Sequence, residues 1–160
     1  MERIRHMKTN AMRILDSLSI AYSIHTYEWD EDHLDAIHAA ESAGLDLEKV
    51  YKTIVMQNNE KRIFVFCLPA EFSVSLKKAK MLTGSREIDL IKLDDLQKLT
   101  GYIRGGCSPL GMKKHYQTFI SDLAELEDTI YVSAGQRGMQ LELKPDDLVR
   151  AADAEYADFI

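Results

Sequence analysis

A chain of 160 residues that is 46% hydrophobic and 29% charged has enough apolar surface to close one core and too much to stay disordered. Its formal net charge of −6 excludes a protein that coats nucleic acid by bulk electrostatics, since neutralising phosphates takes a basic surface. No stretch approaches the roughly 20 apolar residues of a membrane span, Met1–Lys8 has charge without an apolar run behind it, and Cys67 and Cys107 form neither a C-x-x-C pair nor a disulfide framework, so a single domain over residues 1–160 in the reducing cytoplasm is expected.

From Thr9 to Leu18 the residues Ala11, Met12, Ile14, Leu15 and Leu18 recur at helical spacing, with Thr9 or Asn10 as N-cap. Ala21–Tyr27 alternates and holds aromatic and β-branched residues, which predicts a half-buried strand ending at Tyr27. Leu34–Ala43 reads as an amphipathic helix stopped by Gly44, and Asp46–Lys49 as a capped turn. Two strands follow, Val50–Met56 and Arg62–Leu68, joined by the turn residues Asn58–Lys61 into a hairpin. The unbroken apolar run of the second strand predicts a central place in a sheet. Ser75–Leu82 is a predicted helix closed by Thr83-Gly84, before a short strand at Glu87–Leu90 and a helix starting near Asp94.

The stretch Gly101–Gly111 holds four glycines and a proline, too many for a good helix or a regular strand, so it predicts a shaped loop. After it come strands at Thr118–Ile120, Thr129–Ser133 and Met139–Leu143, the last two separated by a Gly135–Gly138 turn, and a helix from about Asp146. The pattern is a mixed α/β fold with helices outside the strands.

Standard catalytic constellations are missing: there is no G-x-S-x-G, no phosphate-binding P-loop and no H-E-x-x-H. His33 and His38 lie five apart, a poor match to one helix face, so no metal or other cofactor is expected. Cys67 lies inside an apolar strand and Cys107 has no base beside it in sequence, so neither is read as a nucleophile. The clusters Lys77, Lys78, Lys80 and Lys113, Lys114, His115 read first as solvated surface, with a local basic patch as the alternative.

Lys52 interrupts an apolar strand. It is either an edge lysine snorkelling to water or an ammonium facing a cleft, where it could hold a phosphate or a developing oxyanion. The glycine loop has the same double reading, tight turns or backbone N–H groups converging on an anion.

Taken together, Val50-Tyr51-Lys52-Thr53, Thr100-Gly101-Tyr102 through Gly105-Gly106-Cys107-Ser108-Pro109-Leu110-Gly111, and Tyr131–Gly138 resemble the YbaK/EbsC family of bacterial aminoacyl-tRNA deacylases. The resemblance spans nearly the whole chain, and it extends to the editing domain inserted in some prolyl-tRNA synthetases. It implies a mixed, mainly antiparallel sheet curled into a partial barrel with surrounding helices, and a pocket for the aminoacylated 3′ end of tRNA(Pro). The implied reaction is ester hydrolysis in trans on mischarged Cys-tRNA(Pro), with Ala-tRNA(Pro) deacylation or a non-catalytic tRNA-binding or regulatory module as alternatives, and with prolyl-tRNA synthetase as a possible partner.

By the same resemblance Lys52, Ser133 and Gly105 would be catalytic, while Tyr27, Thr53, Gly106, Ser108, Gly135 and Gln140 would bind substrate. For a cysteinyl ester the substrate's own thiol would attack the carbonyl, with Lys52 binding and polarising rather than attacking. Three departures stand out: Gln140 where some relatives carry an aspartate, Cys107 in place of an apolar residue, and Trp29–Leu34 in place of the usual pocket-capping segment.

Overall fold

Local capping chemistry sets most helix boundaries. In the computed structural model, which describes residues 8–160, Thr9 caps α1 (Asn10–Ser17), its hydroxyl accepting from the Met12 N–H at 3.2 Å. The sequence reading of Met1–Lys8 therefore falls, apart from Lys8, outside the described residues. Asp35 caps α2 (Ala36–Ala43), two residues later than the helical pattern alone suggests, and Gly44 ends it at φ 67°. Ser75 and Gly84 bound α3 (Leu76–Thr83) in the same way, while α4 (Leu93–Thr100) stops at Gly101 and α5 (Pro145–Ala152) opens with proline in its first turn.

The strands are β1 (Ser23–Thr26), β2 (Tyr51–Asn58), β3 (Ile63–Pro69), β4 (Ile88–Leu90), β5 (Gln117–Ser121), β6 (Ile130–Ser133), β7 (Met139–Leu143) and β8 (Ala154–Ala157). They form a five-stranded sheet in the order β4-β2-β3-β5-β8 and a three-stranded sheet in the order β1-β7-β6. The predicted hairpin is β2–β3, antiparallel with Lys52 opposite Leu68, and β3 is central as expected, pairing parallel with β5 on its other side. Its apolar run is unbroken because both faces are covered. Phe64, Phe66 and Leu68 pack with Phe119, Phe159 and Ala79 of α3, whereas Cys67 joins the larger core built by α1, α5 and the second sheet.

The mixed α/β architecture is the one expected, with its strands divided between two sheets. One isolated parallel bridge, Val50 to Tyr131, links them, at the start of β2 and within β6. Backbone pairing between the two sheets goes no further among the described residues. β8 was not expected from the sequence: Ala-Glu-Tyr-Ala has little strand propensity of its own and is held by parallel pairing to β5.

Among the described residues no helix is long and apolar enough to cross a membrane.

Candidate active site

Lys52 and Ser133 each lie two residues beyond the bridged pair, one on β2 and one on β6, and both line a cavity of about 230 Å³. Tyr27, Thr53, Gly105 and Gln140 line it as well, so six of the nine residues singled out in the sequence meet around one space. Tyr27 is brought there by the end of β1, its N–H donating to the Gly138 carbonyl at 2.9 Å. Gln140 follows from β7, where it pairs with Ser133 on one side and His25 on the other.

The Lys52 side chain is half-buried, and its Nζ donates to the Ala70 carbonyl at 3.0 Å. Burial pulls its ammonium below the ordinary lysine value, because a charge loses solvation there, and the Asp35 carboxylate works in the opposite direction. Lys52 lines the cavity, while its Nζ is tied to the Ala70 carbonyl. The Ser133 hydroxyl accepts from the Gly135 N–H at 3.2 Å, so it is oriented by the turn that follows it.

Gly106, Ser108 and Gly135 do not line the cavity; they shape the loops behind it. A Cβ on Gly106 would lie 3.1 Å from the backbone of Gln136 and Arg137, which makes it the place where the two glycine loops touch. Ser108 is fully buried and its hydroxyl accepts from the Leu110 N–H. Gly135 has φ 100° and presses on Tyr102, where a Cβ would sit 3.0 Å from Cε1. Arg137 fastens the loops further, its Nε donating to the Arg104 carbonyl at 2.8 Å.

Eight residues not assigned to the site from the sequence complete the wall: Leu34, Asp35, Ala36, Ala39, Tyr51, Ile54, Arg104 and Cys107. Leu34 packs on Gly105 and Trp29 on Gly138, so the segment that departs from the family pattern covers this end of the molecule. Asp35 had a detectable signal, being an N-cap type residue directly before a helical run. The two lysine clusters line no part of the cavity. Lys78 instead pairs with Asp158 and the Ile160 carbonyl, and His115 with Asp153.

The histidine spacing that argued against one helix face has a different outcome in three dimensions. His33 precedes α2, so its ring meets that of His38 at 4.5 Å between centroids, and the two are held by Asp30 and Asp35 respectively.

Burial pushes the Cys107 thiol up to about 12, so it is protonated at neutral pH and a poor nucleophile. Iodoacetamide at pH 7.5 is therefore expected to modify Cys107 at least about tenfold more slowly than free cysteine. Mass spectrometry of the native protein checks this, and rapid single-site labelling at Cys107 would contradict it.

The model of the aminoacyl-tRNA editing domain matches residues 30–151 of the chain. A protein of Enterococcus faecalis named as a candidate Cys-tRNA(Pro)/Cys-tRNA(Cys) deacylase, EbsC, is 39% identical over 151 residues, covering 94% of this chain and 92% of its own. Among solved structures, one of a hypothetical protein superposes with a TM-score of 0.85 at 19% identity, over 94% of this chain and 99% of that one. Another, of a candidate trans-editing enzyme for prolyl-tRNA synthetase, gives 0.77 at 18% identity, over 96% and 98%. At these identities the two structures establish the fold.

Proposed function

We propose that this chain, which belongs to the aminoacyl-tRNA editing domain family, hydrolyses the ester of mischarged aminoacyl-tRNA in trans, with Cys-tRNA(Pro) as its substrate. The observation that carries the reading is the meeting of the Lys52 ammonium, Ser133 and Gly105 around one small cavity. A volume of about 230 Å³ falls below the roughly 300–1,000 Å³ of drug-sized sites and suits a small aminoacyl group.

The cavity wall offers no activated protein nucleophile: its thiol is held protonated, and the hydroxyls of Ser133 and Thr53 are hydrogen-bonded to the Gly135 N–H and to Cys67 rather than to a base. A cysteinyl ester brings its own. The substrate thiol gives up its proton as its sulfur bonds to the ester carbon, and the bond from that carbon to the ribose oxygen breaks. The ribose oxygen takes up that proton, and water then opens the resulting cyclic thioester to free cysteine. In this scheme the cavity holds thiol and carbonyl in attacking geometry, and the Lys52 ammonium stabilises the negative charge that develops on the carbonyl oxygen. A single such donor is worth about 3 kcal/mol of barrier.

Gln140 favours a second reading. It is 5% exposed, and its side-chain oxygen has no hydrogen-bond partner. An alanyl ester has no thiol and needs a positioned water, from which such an oxygen could accept a hydrogen bond. Deacylation of cysteinyl-, alanyl- and prolyl-tRNA(Pro) side by side tests both. Release of cysteine is expected to be fastest. If all three esters decay at their uncatalysed rates, or are protected by the protein, the editing reading falls and a binding module takes its place.

With a net charge of −6 the chain has little general attraction for tRNA, which supports delivery by a prolyl-tRNA synthetase in the cytoplasm. Co-sedimentation of the two proteins with tRNA(Pro) is the corresponding check.

A further inference from the structure

An aminoacyl ester has a feature that the reaction itself does not use: a free α-ammonium on the carbon next to the carbonyl. When that carbonyl is placed on the Lys52 ammonium, the substrate's positive group must enter the same cavity. Two like charges at such a separation repel strongly in a partly dry site, so productive binding needs a counter-charge. Among the residues lining the cavity the cationic side chains are Lys52 and Arg104, and the single carboxylate is Asp35.

We propose that Asp35 receives the α-ammonium of the aminoacyl group and so orients the ester on Lys52, an assignment that rests on the editing reading above. The carboxylate is held for this task from behind. Its Oδ1 accepts from the His38 N–H at 2.9 Å and its Oδ2 lies 2.6 Å from His38 Nδ1, while the side chain stays half exposed on a residue that lines the cavity. Each oxygen keeps a second lone pair for a ligand. The contacts with His38 also keep the carboxyl ionised, since they outweigh the burial that opposes its charge. Asp35 thus acts as a specificity determinant for a free amine, selecting aminoacyl esters over esters whose nitrogen is blocked.

The test uses 3′-deoxy-3′-alanylamino-adenosine, whose amide link cannot be cleaved as an ester, and its N-acetyl derivative, titrated calorimetrically into the full chain. Wild type is expected to bind the free amine about tenfold more tightly than the acetylated compound, the scale of one charge-assisted hydrogen bond. Asp35→Asn keeps the helix cap and removes the charge. In that variant the preference should shrink to about threefold, and in Asp35→Ser, whose hydroxyl also caps but is shorter, to near unity, with affinity for the acetylated compound unchanged.

Equal weakening toward both compounds would overturn the assignment, because it would mean that Asp35 acts only through Lys52 or α2. So would an unaltered preference, or the absence of binding by wild type. Turnover of Cys-tRNA(Pro), measured in parallel, judges the editing reading separately. An enzyme that cleaves charged tRNA but ignores the amine disproves the role of Asp35 alone.

Discussion

Lys52→Ala is expected to fold like the parent and to lose about a hundred- to a thousandfold in kcat/KM for Cys-tRNA(Pro), the loss typical of removing one donor to a developing oxyanion. The side chain makes one hydrogen bond, to the Ala70 carbonyl, and its ammonium is partly stripped of water. Removing it relieves a desolvation cost and takes a donor from the Ala70 carbonyl, so the two effects oppose and the unfolding midpoint should move little. The pH dependence follows from the same shift. Because the folded-state pKa lies below the ordinary lysine value of about 10.4, the ammonium and the activity that depends on it decline at lower pH than a surface lysine would dictate. Between the two values the unfolded chain binds more protons than the folded one, so this group's contribution to stability rises with pH across that window. A wild-type alkaline limb that is missing from Lys52→Ala, after subtraction of uncatalysed hydrolysis, would be its signature. A full-rate Lys52→Ala enzyme would remove the basis of the proposed function.

Tyr102→Ala should be the most damaging change that touches no part of the cavity. The ring is buried and serves as a post around which both glycine loops wrap. A Cβ on Gly111 would lie 2.8 Å from its Oη and one on Gly135 3.0 Å from its Cε1, while the hydroxyl donates to the Leu110 carbonyl. Truncation leaves a ring-sized void and two loops with nothing to close upon, at a cost of about 3–5 kcal/mol. Tyr102→Phe keeps the post and orphans only the Leu110 carbonyl, for about 1–3 kcal/mol. Urea unfolding should rank the two in that order, with deacylation falling in Tyr102→Ala because Gly105 and Ser133 lose their support. An Ala variant as stable as the parent would show that the loops hold their shape without the ring.

Much of the architecture was legible because local and tertiary signals agree. Thr9 sits where a cap is needed, Gly44 and Gly84 where helices must turn left-handed, and Asn58–Lys61 where a hairpin must close. β8 escaped because its pairing with β5 is non-local, and no pattern in Ala154–Ala157 announces it. The site was legible in part for a related reason. Lys52 violates the apolar pattern of its strand, and a violation is visible in one dimension. Tyr51, Ala36 and Ala39 obey theirs and become cavity wall only through how two sheets are set against each other. Gly106 lies against the Gln136 and Arg137 backbone and Gly135 against Tyr102, and what a glycine makes room for cannot be read along the chain.

The Val50–Tyr131 bridge is, among the described residues, the point of backbone pairing between the two sheets. Lys52 and Ser133 stand on the two strands that it joins, so the gap between them depends on the packing beneath, where Cys67, Ile120, Val132 and Leu141 share one core. Which acyl groups are admitted can therefore drift through substitutions in that interior while every residue at the mouth stays the same.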